Sequence, residues 1–233
     1  GAAGLAMGGP IGGLLGAAAG LFAEQQIRRQ TDPEQARKVA FTVAVIALSA
    51  KMAKADGTVT KAEIEAFRRR VDIPQKDIER VGKFWDLARQ TPDGFAAYAR
   101  QTVELFGPRS AILEQLLDLL FTIARADGAI TPEEWAYLSE VCHIFGYDEA
   151  GFNRLSDIYS GKSPPPHLIL GIAADASLEE AKAAWKALAR THHPDQLIAA
   201  GMPEEFISAA TDRLAQINHA YQTLAGQIRA RTA

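Results

Sequence analysis

The sequence predicts an all-α protein. Apolar residues recur at three- and four-residue spacing through its long segments, the period of a helix with one buried face. Ser or Thr followed three residues later by Glu marks several helix starts as capping boxes. One helix–turn–helix unit is also present twice. At 233 residues the chain is long enough for one large domain or two small ones. With 48% hydrophobic and 23% charged residues it has the composition of an ordinary globular protein. A net charge of −3 supplies no global basic field for nucleic acid, so no nucleic-acid partner is expected. The lone Cys142 excludes an intramolecular disulfide and suits a reducing compartment. It lies in the apolar run Val141, Cys142, His143, Ile144, Phe145 and reads as an inert core thiol.

The first 23 residues carry no charge, and Gly4, Gly8, Gly12, Gly16 and Gly20 recur at every fourth position. On a helix these glycines form a stripe along which two backbones approach closely, the pattern of packed transmembrane helices and of a homodimer through that stripe. About 20 apolar residues span a bilayer. Arg28, Arg29, Arg37 and Lys38 follow at once, which places the remainder in the cytoplasm. Residues 1–30 are therefore expected to be a glycine-rich, single-pass membrane anchor. The alternative is a flexible Gly/Ala tail, since glycine is a poor helix former and Pro10 interrupts the run. No basic region precedes the apolar stretch, which argues against a cleaved signal peptide.

Residues 31–160 hold the duplication. "AKADGTVTKAEIEAF" at residues 53–67 is echoed by "ARADGAITPEEWAYL" at residues 124–138. Each copy follows an apolar helical pattern, Val43, Ile46, Ala47, Ala50 in one and Leu113, Leu116, Leu117, Leu120, Ile123 in the other. Each unit reads as helix, tight turn, helix, with Gly57 and Gly128 at the left-handed position that ends a helix. Thr60 with Glu63, and Thr131 with Glu134, have capping-box spacing, and Pro132 sits at the first helical position. A second reading of the same acids is open: Asp56 and Glu63, with Asp127 and Glu134, as oxygen ligands of a divalent metal. The turns are too short, and too poor in further carboxylates, for an EF-hand. Between the copies, Ile73-Pro74, residues 91–94 and Gly107-Pro108 punctuate shorter helices, with Trp85, Phe95, Tyr98 and Phe106 as core residues.

The paired "ADG-x-[IV]-T-x-x-E" turns resemble those of the TerB-like (tellurite-resistance) helical fold. That resemblance implies a duplicated helical bundle. It also implies a possible divalent metal held by Asp56, Glu63, Asp127 and Glu134, although the chain as a whole needs no cofactor.

A linker follows at residues 161–166, where Ser163-Pro164-Pro165-Pro166 is expected to be stiff polyproline. Residues 167–233 then form a small helical hairpin. Ser177 and Glu180 open its first long helix as a capping box. Leu178, Ala181, Trp185, Leu188 and His192 share one face, and Lys182, Lys186 and Arg190 form a basic stripe on another. Pro194 stops this helix, and Pro203 with Glu204 and Glu205 restarts one whose apolar face is Phe206, Ala210, Leu214, Ile217, Tyr221 and Leu224. His192 is expected to pack rather than to act.

His193-Pro194-Asp195 stands where the helix ends. A hairpin of this size offers little concavity for an acid/base enzyme, and the backbone direction scatters His192, His193 and Asp195 as metal ligands. Recognition is the remaining reading: a proline-fixed loop presents a ring and a carboxylate, beside a basic stripe that orients an acidic partner.

"LGIAADASLEEAKAAWKALARTHHPD" resembles a J-domain, with Leu170-Gly171 at its start, a basic second helix and the His-Pro-Asp motif. The continuation, and the order of glycine-rich segment, TerB-like domain and J-domain, resemble the DjlA-type membrane co-chaperones of the bacterial inner membrane. The resemblance implies no enzyme, but a co-chaperone that stimulates ATP hydrolysis in a DnaK-type chaperone. His193, Pro194 and Asp195 match the family's essential loop, and Lys182, Lys186 and Arg190 its basic helix. Departures from the pattern are His167 for the usual aromatic, Trp185 for a tyrosine, and Ala183, Ala187 and Gln196 for common lysines, the last three lowering the positive charge of the surface. A metal-binding TerB-like stress-response protein is the alternative function.

Overall fold

A computed structural model of the chain describes residues 9–13, 33–55, 57, 59–73, 75–90, 94–159 and 163–232. Its regular elements are helices, with no strand among the described residues. The organising element is α1 (Pro33–Met52), whose residues from Val43 to Met52 are all buried. A helix apolar on every side must be covered on every side. Here α3 (Ile78–Ala88), α4 (Phe95–Phe106) and α5 (Ala111–Ala124) provide that cover. The duplicated units are α1 with α2 (Lys61–Arg70) and α5 with α6 (Pro132–Ile144). They interlock: α2 packs on α5, α6 packs back on α1 and α4, and the Tyr137 hydroxyl donates to the Leu48 carbonyl at 2.9 Å. The bundle closes with α7 (Glu149–Tyr159), which packs on α5 and α6. Trp85, buried, and Phe95, Tyr98 and Phe106, half-buried, belong to this core.

Both turns are built as the spacing predicts. Gly57 and Gly128 have φ of +91° and +140°, which strains any residue with a Cβ. The Thr60 and Glu63 pair closes a capping box, with the Thr60 N–H donating to Glu63 Oε2 at 2.7 Å and the Glu63 N–H to Thr60 Oγ1 at 3.2 Å. Thr131 and Glu134 repeat it at 2.8 and 3.2 Å.

The segment expected to cross a membrane is described only in part. At residues 9–13 a helical turn lies against the bundle: the Ile11 side chain has no exposure, and its N–H donates to Gln101 Oε1 at 2.9 Å. In this structure that turn packs on the bundle through Ile11. Gly12 is half-buried here, whereas Gly4, Gly8, Gly16 and Gly20 lie outside the described residues. Among the described residues no helix is long and apolar enough to cross a membrane.

The expected polyproline linker ends one residue early. Pro166 opens α8 (Pro166–Leu170), where its fixed φ suits the first helical position. Then come α9 (Leu178–Thr191), α10 (Pro194–Ala199), a 3-10 turn (Glu204–Phe206) and the long α11 (Ile207–Thr232). Ile169, Leu170, Ala181, Ile217, Ala220 and Leu224 form a small separate core. Trp185 stacks on Tyr221 with centroids 4.7 Å apart and donates to Asn218 Oδ1 at 2.8 Å.

The apolar face expected along residues 206–224 is divided between two cores. Ile217 and Leu224 cover the small core, but Phe206 and Ala210 join the large one. The reason is length: α11 has 26 residues and α9 only 14, so the start of α11 needs another cover. The bundle supplies it. Phe206 meets the Phe41 ring edge-on at 5.1 Å, and the Asp72 N–H donates to the Glu205 carbonyl at 2.9 Å.

The Glu63 cap gives a pH signature. Burial pushes its carboxyl up to about 7, the hydrogen bonds from Thr60 oppose that rise, and the negative charges of Glu134 and Asp127 add to it. The folded value lies above the 4.5 of the free side chain, so the stability Glu63 contributes is complete below pH 4.5 and is lost as pH rises through about 7. Urea unfolding should therefore show wild-type stability falling between about pH 5 and pH 7, and Glu63→Gln should flatten that slope. An unchanged slope in the variant contradicts this account. Glu134→Ala should cost about 1 kcal/mol as a lost cap, read from the same unfolding curves.

Candidate functional site: an arched loop at the domain junction

The chain between α9 and α10 is an arch. His192 ends α9 as its C-cap, with its N–H donating to the Leu188 carbonyl at 2.8 Å, and its side chain is 2% exposed. The next residue, His193, turns outward as the N-cap of α10, and Pro194 is that helix's first residue. Pro194 thus starts a short helix where the sequence predicts only a stop. Leu197, one turn further, is again buried, in the core of the large domain. The two feet of the arch, His192 and Leu197, are sunk, and the crest is His193, Pro194, Asp195 and Gln196.

At the crest the side chains of His193 and Asp195 are 50% and 83% exposed. His193 Nδ1 accepts the Asp195 N–H at 3.2 Å. A nitrogen that accepts a hydrogen cannot also donate one. The bond therefore fixes Nδ1 as the acceptor that caps α10. Asp195 Oδ2 lies 3.7 Å from Nδ1, too far for a hydrogen bond. Its carboxylate stands largely in solvent. Lys182, Lys186 and Arg190 are all exposed along α9, which leads into the arch.

Beneath the arch lies a buried charge cluster. Glu114, on α5 of the large domain, takes Arg213 Nη2 of α11 at 2.8 Å on Oε1 and has His192 Nε2 at 3.5 Å from Oε2. Arg213 Nη1 also donates to Gln216 Oε1 at 2.6 Å. Burial raises the Glu114 carboxyl, yet hydrogen bonding to His192 and the charges of Arg213, His192 and Arg154 outweigh it and hold it at about 2. Leaving one charge of such a buried pair uncompensated costs roughly 3–5 kcal/mol. On the outer edge Arg70 bridges Asp118 at 3.6 Å and Asp212 at 3.3 Å. Gly201, just past α10, has φ +109°, and a Cβ there would stand 3.0 Å from Arg37 Cβ. Only glycine lets the chain pass that close.

The acidic turns are a different place. Glu63 and Glu134 are buried and hold their caps, Asp127 is exposed, and Asp56 lies outside the described residues. Among the described residues no three His, Cys, Asp or Glu side chains converge on a point that could hold a metal ion. The Cys142 thiol is fully buried and pushed up to about 12 by that burial, so it is unreactive.

Sequence reasoning placed the crest and the basic stripe, but not the clamp under them. Neither Glu114 nor Arg213 belongs to any motif that the sequence singles out. The signal was present: Arg213 falls three residues after Ala210 and four before Ile217, on the apolar face itself.

Comparison with known proteins finds two family matches in the chain. The family described as Tellurite resistance protein TerB matches residues 42–157, and that described as DnaJ domain matches residues 166–231. Among curated relatives, the Co-chaperone protein DjlA of Vibrio cholerae is 27% identical over 82% of this chain and 80% of its own length. The Co-chaperone protein DjlA of Coxiella burnetii is 24% identical over 95% of this chain and 93% of its own length. That of Legionella pneumophila is 24% identical over 93% and 89%. No solved structure matches the chain. With a TerB domain followed by a J-domain, and relatives of one kind across several bacteria, the chain belongs to the DjlA-type co-chaperones.

Proposed function

We propose that the chain binds a DnaK-type chaperone through the arch crest and the basic face of α9, and thereby stimulates that partner's ATPase. The observation that carries this is the crest itself. Its Asp195 carboxylate is exposed and unspent, its His193 ring is fixed by the Asp195 amide, and both stand on buried feet. The chain then needs no catalytic group of its own, because the ATP chemistry belongs to the partner. Lys182, Lys186 and Arg190 steer an acidic surface towards the crest, and rim charges act mainly on association. Tethering to a bacterial inner membrane through residues 1–30, and self-association through their glycines, complete the proposal on the sequence pattern of the glycines.

A second reading applies to the middle domain alone: a divalent cation held by Asp56, Glu63, Asp127 and Glu134. In its favour, Glu134 and Asp127 lie close enough to act on the Glu63 carboxyl. A bound ion should raise the melting temperature by several degrees, and Asp127→Asn should abolish the rise. No shift with calcium, magnesium or zinc removes this reading.

Single-turnover ATP hydrolysis by a DnaK-type chaperone, with and without the chain, tests the proposal. Asp195→Asn leaves both apolar cores untouched, so its melting curve should match wild type. Stimulation should collapse, because unpairing a charge in an interface costs roughly 2–5 kcal/mol. His193→Gln should do the same. Lys186→Ala should weaken binding only in part, and more at low salt, since exposed charges are screened within about 10 Å at 0.1 M salt. Wild-type stimulation by Asp195→Asn contradicts the proposal.

A further inference from the structure

We infer that Glu114 of the TerB-like domain is a positioning residue for the J-domain's docking loop, acting through His192. The inference rests on the co-chaperone reading above and adds a dependence on a different domain. His193 and Asp195 touch the partner in that reading; Glu114 does not, since its side chain is only 12% exposed beneath the arch.

The geometry is that of a staple. One carboxylate holds α11 through Arg213 at 2.8 Å and the end of α9 through His192 at 3.5 Å. Of these two helices α9 leads into the crest, and α11 follows it after α10 and the 3-10 turn. His192 is joined by one peptide bond to His193, so the direction of the His193 ring follows from where His192 is held. The other foot is fixed by packing: Leu197, Met202 and Phe206 are buried in the large core, and the Met202 N–H donates to the Leu197 carbonyl at 2.9 Å. The J-domain's own small core, from Ile169 to Leu224, includes none of these residues. A J-domain whose loop relied on that core alone would have its crest unsupported at both feet. His192 Nδ1 has no hydrogen-bond partner, so the contact of Nε2 with Glu114 is what orients its ring.

The consequence is a matter of populations. When only a fraction of molecules hold the crest in the docking geometry, apparent affinity falls by that fraction, while the fully bound complex is unchanged. Loss of the staple should therefore raise the half-saturating concentration and spare maximal stimulation. Loss of a residue that touches the partner should abolish stimulation at any concentration.

The test measures both quantities on the full chain, as stimulation of a DnaK-type ATPase against co-chaperone concentration. Glu114→Gln should raise the half-saturating concentration roughly five- to tenfold, the lower range of couplings between sites, with the maximum unchanged. His192→Gln, which leaves the Glu114–Arg213 pair intact, should move it in the same direction and guards against misfolding of the first variant. Leu116→Ala, a buried residue of the same helix, should lower the melting temperature without moving the half-saturating concentration. If Asp195→Asn abolishes stimulation while Glu114→Gln and His192→Gln keep the wild-type half-saturating concentration, the positioning role is wrong and the co-chaperone reading stands. If Asp195→Asn stimulates as wild type does, the co-chaperone reading falls and the positioning role with it.

Discussion

A carboxylate sealed between two domains is tolerable only when its charge is answered, and Glu114 is answered from two sides. Arg213 comes from α11 and His192 from the end of α9, so the one acid ties three helices that the sequence order keeps far apart. The attraction wins over burial by enough to hold the carboxyl at about 2. Around it the apolar contacts fall into place: Phe206 meets Phe41, Ala210 enters the large core, and Gly201 passes against Arg37. Without the ion cluster these contacts would press a charged face of α11 against α5. With it, the J-domain and the TerB-like domain share a continuous junction.

The junction explains how a small hairpin presents a fixed loop. A crest whose side chains are exposed is not stabilised by burying them. Its geometry has to be set from below. Here the cap on α10 uses the His193 ring and the proline ring, and the two residues that bound the crest are buried. The basic residues of α9 remain outside this arrangement, exposed along the helix.

Much of this was legible in the sequence because local chemistry wrote it. The three capping boxes, at Thr60, Thr131 and Ser177, depend on residues three apart and form as their spacing says. The duplicated turns need a left-handed glycine, and Gly57 and Gly128 have the positive φ that requires one. What the sequence hid were relations across distance. Glu114 and Arg213 are 99 residues apart, and nothing in either neighbourhood names the other. His192 was expected to pack with Ala181 and Leu188, but α9 ends there and the residue turns to the other domain. Phe206 read as part of a single hairpin face because helical spacing does not record where a neighbouring helix runs out. The contact of Ile11 with Gln101 is another such relation, spanning 90 residues.

Native-state hydrogen exchange on the full chain tests most directly whether the arch stands on the TerB-like domain. The amides of Leu197 and Ala200, bonded to the carbonyls of His193 and Gln196, report α10, and those of the Leu116 to Leu120 stretch report α5. If the two domains share the junction described, α10 opens in the same cooperative unit as α5, with matching free energy and matching dependence on denaturant. Exchange of α10 through a separate, low-energy opening, while α5 stays protected to the global limit, would contradict the account.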